Sequence, residues 1–318
     1  FSEDKESIEF KDAKLIVNNY TLGAWPSGSF PSSSKKRSGF LLPEINISNK
    51  SGVDISVPYY IAIKENLDTT LEPRYITKRG FGLSNEFRYL TNKLNGVLNS
   101  SILFNDNEYQ YNYTENSFRW AIGVKHTQVL NKNLFLQIDY GNVSDAFFIN
   151  DFGPDFSGVS KTLYTPQKLV VSSFTANTET KLLLNSFKII DPIAANQYQE
   201  LPKIEFSYFD SLKSFDFELE SSFSIYRKGG AFRENSKERI KVLNLTPSFN
   251  FSHQGRVLFT EISGRIINSA FDFEGFTFNR TQPQLNFQVS ANLLRKNPID
   301  TGYLKPYLII MYAPEKMQ

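Results

Sequence analysis

The sequence has no cysteine and only two histidines and two tryptophans among its 318 residues. Without Cys there is no disulfide scaffold, no thiolate zinc site and no cysteine nucleophile. Two His leave little for a His-rich metal centre. Charge imbalance is also lacking. Lys and Arg total 35 against 33 Asp and Glu, a net charge of +2, which argues against a dedicated nucleic-acid binder. No apolar run reaches the ~18 residues that a membrane-spanning helix needs. The longest uncharged stretch, Leu15 to Ser34, is broken by Asn18, Asn19, Gly23, Pro26 and Gly28. This does not exclude a membrane, because a β-barrel crosses with alternating strands and can look soluble by average hydropathy. What the chain does have is 29 Phe and 16 Tyr, more than a disordered chain carries, and length enough for a large core.

Catalytic signatures are missing too. There is no Gly-x-Ser-x-Gly elbow and no Gly-Lys pair to make a P-loop. Asp151-Phe152-Gly153 matches the metal-binding tripeptide of kinases, but neither a Gly-rich loop nor a His-Arg-Asp loop accompanies it. Asp145, Asp151 and Asp155 could offer carboxylate oxygens to calcium, but their spacing fits no known loop and solvated aspartates are the plainer reading. His126 and His253 have no patterned partner. No catalytic residue, metal or cofactor is expected.

A period of two runs along the chain. Phe118, Trp120, Ile122 and Val124 alternate with Arg119, Ala121, Gly123 and Lys125. Leu134, Leu136, Ile138 and Tyr140 do the same. So do Phe215, Phe217, Leu219, Phe223 and Ile225, set against Asp216, Glu218, Glu220, Ser222 and Ser224. Leu243 to Phe251 and Leu285 to Leu293 complete the series. Such alternation puts one set of side chains on each face of a sheet. No window shows a capped period near 3.6, so no long helix is expected. The runs are about 10 residues long, against ~5–6 for ordinary strands, and a strand crossing a bilayer needs ~9–11. Polar breaks such as Lys78-Arg79-Gly80, Asn131-Lys132-Asn133, Lys228-Gly229-Gly230 and Asn297-Pro298 separate them. Gly141 to Pro166 reads as an extended surface loop. The expected fold is an all-β, antiparallel outer-membrane β-barrel. A large soluble β-sandwich also alternates and stays open as an alternative.

The stretch before Phe40 differs. Ile8, Phe10, Ala13, Leu15 and Val17 form a shorter pattern, then Pro26, Pro31 and a serine-rich run lead to Lys35-Lys36-Arg37. A boundary is expected near residue 38. Two prolines fall inside strand-like runs: Pro58 within Val53 to Ile63, and Pro73 within Thr69 to Thr77. Proline brings no N–H to a ladder. Such a strand is either an edge or bulge that tolerates proline, or a seam meant to open.

The run Lys36-Arg37-Ser38-Gly39-Phe40-Leu41-Leu42-Pro43 resembles the start of the barrel domain in the lipopolysaccharide-assembly LptD family. So do Val57-Pro58-Tyr59-Tyr60, Asn66-Leu67-Asp68-Thr69-Thr70-Leu71 with Pro73, Lys78-Arg79-Gly80 and Glu86-Phe87-Arg88-Tyr89-Leu90, in the family's order. Val143-Ser144-Asp145 with Asn150-Asp151-Phe152, Gln197-Tyr198 with Leu201-Pro202-Lys203-Ile204, Leu304-Lys305-Pro306 with Tyr307, and Tyr312-Ala313-Pro314 are also similar. The resemblance implies the end of a periplasmic jelly roll over residues 1–38 and the first half of a barrel over 39–318. It implies lipopolysaccharide as cargo, leaving sideways between the first and last strands into outer-membrane lipid. The implied partners are an LptE-like lipoprotein plug and an LptA-like bridge protein.

Under that reading Pro58 and Pro73 flank the lateral gate. Phe10, Leu15, Val17, Leu22 and Trp25 line the acyl path at the junction or simply pack a sandwich. Lys35, Lys36 and Arg37 meet lipid phosphates or form a solvated turn. A general porin and a secreted glycan-binding sandwich are the alternatives in other classes. The chain starts at Phe1 and an apolar run stands just before Gln318, so both ends read as cuts in a longer protein. An unclosed half barrel would leave strand edges unpaired in lipid, so this piece is not expected to fold alone.

Overall fold

In the computed structural model the alternating runs are strands. The structure describes residues 7–17, 20–31, 36–49, 51–109, 117–157, 164–189, 198–228, 239–273, 275–291, 293–296, 301–304 and 306–312. The chain divides into two compact units, residues 1–122 with 152–158 and residues 123–151 with 159–318.

The first unit begins with a hairpin, β1 (Ser7–Val17) and β2 (Tyr20–Pro31), in antiparallel register. Then come β3 (Gly39–Phe40), β4 (Glu44–Ser48), β5 (Gly52–Ser56), β6 (Tyr59–Lys64), β7 (Leu67–Ile76), β8 (Gly80–Leu90) and β9 (Leu94–Leu103). β7, β8 and β9 form a regular meander. The turn into β8 needs glycine: Gly80 has φ +120, and a Cβ there would stand 2.6 Å from the Asn105 carbonyl oxygen.

Faces in this sheet follow residue parity. Asp54, Ser56, Asp68, Ser84 and Ser101 lie on one face and are buried. Ile47, Ile55, Ile63, Tyr75 and Phe81 lie on the other and are exposed. Ser84 and Ser101, which are cross-strand partners, hydrogen-bond through their hydroxyls at 3.1 Å.

The second unit holds the rest of β10 (Arg119–Asn131), then β11 (Leu134–Val143), β12 (Tyr164–Phe174), β13 (Thr178–Ile189), β14 (Tyr198–Leu212) and β15 (Phe215–Lys228). It continues with β16 (Arg239–Gln254), β17 (Leu258–Phe273), β18 (Phe276–Ala291) and β21 (Tyr307–Tyr312). Each strand pairs with the next, and β18 pairs with β21. Between those two, β19 (Leu293–Lys296) and β20 (Thr301–Leu304) make a separate hairpin. β16, β17 and β18 have 16 residues each. That exceeds the expected run of about 10, and it leaves residues to spare beyond a ~9–11-residue crossing.

Here too the apolar face is the exposed one. Phe215, Phe217, Leu243, Leu245, Phe249, Phe251 and Leu285 are exposed. Their neighbours Asp216, Asn244, Ser248, Asn250 and Asn286 are half-buried. The polar face carries side-chain ladders across the strands. Asn244 Nδ2 donates to Ser222 Oγ at 3.1 Å, and Ser269 Oγ donates to Asn244 Oδ1 at 2.7 Å. Arg265 Nε donates to Gln284 Oε1 at 2.6 Å.

On the apolar face Gly264 lies between Phe249 and Leu285 in register. A Cβ there would come within 2.6 Å of Phe249 Cε1. The ring covers the bare backbone. Gly264→Ala is therefore expected to displace it and cost about 1–3 kcal/mol by overpacking, seen as a lower urea midpoint in lipid refolding.

Connections at the two ends differ. Residues 132–133, 175–177, 213–214 and 255–257 make short turns at one end, where residues 292–306 also join β18 to β21. At the other, residues 144–163, 190–197, 229–238 and 274–275 join strands. The expected loop at Gly141 to Pro166 contains a helical segment, Phe148–Ser157, interrupted at Gly153 (φ 75, ψ 175). Asp145 explains its start: Oδ1 accepts the Phe147 N–H at 2.9 Å and Oδ2 accepts the Ser144 hydroxyl at 2.7 Å. The loop composition concealed this local cap.

Candidate functional site

Pro58 is buried at the break between β5 and β6, and Pro73 is exposed inside β7. The two stand side by side. β5 pairs Ser56 with Arg74 and β6 pairs Tyr59 with Leu71, so one register runs on through the break. In that register Val57 faces Pro73 and Pro58 faces Glu72. The Val57 N–H donates to the Pro73 carbonyl at 3.1 Å. Neither proline nitrogen can donate in return.

A third proline joins them. β3 pairs with β6 and β4 pairs with β5, and between β3 and β4 lie Leu41, Leu42 and Pro43. The Leu41 N–H donates to the Pro58 carbonyl at 2.8 Å. Since Glu44 faces Ser56, Leu42 and Pro43 together stand opposite the single residue Val57. This is a β-bulge in all but label. The prolines fall at 43, 58 and 73, which is 58 − 43 = 15 and 73 − 58 = 15 residues apart. That equal spacing was the available signal for Pro43, which sequence reasoning had used only in the family resemblance.

Three buried carboxylates hold this part of the sheet. Asp54 takes a two-pronged contact from Arg74, Nε to Oδ1 at 2.7 Å and Nη2 to Oδ2 at 2.5 Å. Asp68, 2% exposed, accepts Lys36 Nζ at 2.5 Å and Arg88 Nε at 2.7 Å. Ser38 Oγ accepts the Ala62 N–H at 2.9 Å and fastens the same stretch of chain. Asp106, fully buried, accepts Arg79 and Arg119 at 2.7 Å each, and its Oδ1 accepts the Tyr109 N–H at 3.0 Å. The Arg119 guanidinium stacks on the Tyr109 ring at 4.2 Å, and Phe152 lies 5.1 Å from Arg79 and 5.0 Å from Arg119. A cavity of about 570 Å³ adjoins the seam, lined among others by Leu41, Pro58, Tyr60, Glu72, Asn85 and Arg88.

Of the other residues singled out from sequence, Phe10, Leu15 and Val17 fall on β1 and Leu22 and Trp25 on β2. Their side chains lie outside the described residues, as does Lys35. Lys36 is held by Asp68 and Arg37 is exposed. Among the described residues no group of three Asp, Glu or His could hold a metal, and no helix is long and apolar enough to cross a membrane.

Long antiparallel strands and an exposed apolar face opposite polar ladders define a fold of the outer-membrane β-barrel type. The family model described as LPS transport system D matches residues 117–318, more than half of the chain, and a second, described as LptD protein, matches residues 13–143. The chain belongs to the LptD family. It is 32% identical over 200 residues to the LPS-assembly protein LptD of Pseudomonas aeruginosa strain LESB58, covering 62% of this chain and 21% of that protein. It is 28% identical over 314 residues to that of Ralstonia nicotianae, covering 93% and 37%. To that of Sodalis glossinidius it is 24% identical over 338 residues, covering 99% and 42%. The chain thus spans less than half the length of these relatives.

Proposed function

We propose that this chain forms the gate side of an outer-membrane translocon that delivers lipopolysaccharide into the outer leaflet. Residues 1–38 are then the tail of a periplasmic jelly roll and residues 39–318 part of the barrel wall. The observation that carries the reading is the pair Pro58 and Pro73, at one height on neighbouring strands of a sheet whose apolar face is exposed. Each leaves a return bond unmade, in successive seams: Pro58 towards Leu41 and Pro73 towards Val57. A missing N–H at the same height on neighbouring strands removes bonds that otherwise hold a wall shut, each worth about 0.5–1.5 kcal/mol net. The glycolipid passes sideways there, sugars on the polar face and acyl chains towards lipid. Phe10, Leu15, Val17, Leu22 and Trp25 line the acyl path below. Lys35 and Arg37 meet lipid phosphates, while Lys36 keeps its place through Asp68. Transfer makes and breaks no covalent bond, so no residue is assigned a catalytic role. The plug is an LptE-like lipoprotein, and an LptA-like protein supplies the cargo from the periplasm.

The test is Pro58→Ala with Pro73→Ala in the full-length protein. We expect several-fold slower lipopolysaccharide delivery to the cell surface and greater sensitivity to bulky antibiotics, with protein levels unchanged. Delivery and resistance equal to the unaltered protein reject the seam. Recovery of the full-length protein without a lipoprotein partner, together with free passage of small solutes, marks a porin instead.

A further inference from the structure

The geometry points to a hinge line running across the first strands at Leu42-Pro43, Val57-Pro58 and Glu72-Pro73, with Asp68 as the positioning residue that holds one side of it shut. This rests on the seam reading above and adds how the seam moves. Two strand tracks, β3 with β4 and β5 with β6, are interrupted at one height, and their interruptions face each other. At the line, the Leu41 N–H reaches the Pro58 carbonyl and the Val57 N–H reaches the Pro73 carbonyl. The prolines accept there and donate nothing. β7 continues through the line and pairs with β8 from Leu67–Tyr89 to Ile76–Gly80, so these two strands are the fixed frame.

The charge clamps respect the line. Asp54 and Arg74 lie together on one side, beside the five β4–β5 pairs from Glu44–Ser56 to Ser48–Gly52. Lys36, Asp68 and Arg88 lie together on the other, with the Ser38–Ala62 bond and the β3–β6 pairs. Each half therefore has its own buried carboxylate, and neither clamp spans the break. Lys36 and Arg88 are half-exposed, at 42% and 47%, while Asp68 is 2% exposed. The carboxylate is the fixed point and the cations are the parts that let go. Its half carries the turns at residues 65–66 and 91–93. When Asp68 releases Lys36, residues 36–40, otherwise held by the Ser38–Ala62 bond and two β3–β6 pairs, swing at that end, while residues 59–64 stay paired to β7 and residues 44–48 and 52–56 to each other.

The experiment is hydrogen–deuterium exchange of the full-length protein with its lipoprotein partner in lipid nanodiscs, with delivery measured in the same strains. Asp68→Asn is expected to speed exchange about ten-fold in residues 36–40, with residues 44–48, 52–56 and 59–64 unchanged. Asp54→Asn is expected to give the opposite pattern, and Asp68→Glu, which keeps the charge, to restore protection. If Asp68→Asn does not assemble, Lys36→Gln removes only the half-exposed partner and is expected to give the same pattern at about three-fold. Loosening of both halves together, or of neither, overturns the hinge. Half-specific loosening with unchanged delivery keeps the hinge and removes the seam. Slow delivery in the Pro58 and Pro73 double variant without half-specific loosening in Asp68→Asn keeps the seam and removes the hinge.

Discussion

Asp106→Ala is expected to cost about 3–5 kcal/mol, the range for removing one partner from a buried ion pair, and to leave little assembled protein. Arg79 and Arg119 share this carboxylate at 2.7 Å and are 3% and 1% exposed. Without it their positive charges stay at the same depth, out of reach of bulk water. The rings of Tyr109 and Phe152 offer cation–π attraction, about 2 kcal/mol when desolvated, less than a shared carboxylate supplies. Asp106 also caps the Tyr109 N–H, so the substitution breaks the chain's local fold as well. The readout is heat-modifiable gel migration and the urea midpoint of the full-length protein. Asp106→Asn, which preserves the cap but not the charge, should fall between the two. A midpoint unchanged in Asp106→Ala rejects this account.

The second large effect concerns the outer face. Phe249→Arg is expected to cost about 2–4 kcal/mol if the site is near the bilayer midplane, because the guanidinium replaces a ring in contact with lipid tails. Phe249 is 38% exposed and alternates with Ser248 and Asn250. Thr246→Arg, three residues away on the polar face and opposite Glu220, is expected to change stability by less than about 1 kcal/mol. The comparison is made by refolding both variants of the full-length protein in lipid vesicles. Equal costs at the two positions, or a larger one at Thr246, contradict the assignment of faces.

Much of this was legible beforehand because strand periodicity is local. Phe215 to Ile225 and Leu243 to Phe251 announced which residues share a face, and the structure adds the register that puts Phe217 opposite Phe249. Pro58 and Pro73 stood out since proline in an apolar run is a local anomaly. The clamps did not, for a physical reason. Lys36 and Asp68 are 32 residues apart, and Arg79 and Asp106 are 27 apart. Ion pairs across strands depend on register, which the chain reveals only once its turns are placed. The helical segment Phe148–Ser157 escaped because its cap, Asp145, looks like any loop aspartate. The family resemblance supplied the order of motifs and nothing of these contacts.

The two-residue step at Leu42-Pro43 does one more thing. Phe40 pairs with Tyr59, and Ile45 and Ile47 pair with Ile55 and Val53, all odd partners, yet Phe40 is even whereas Ile45 and Ile47 are odd. Only the extra residue there reconciles them. Deleting one residue at that step would turn Ile45 and Ile47 towards water inside and send Glu44 and Asn46 into hydrocarbon. The reading frame of this ribbon is thus locked at the very place where proline interrupts its ladder.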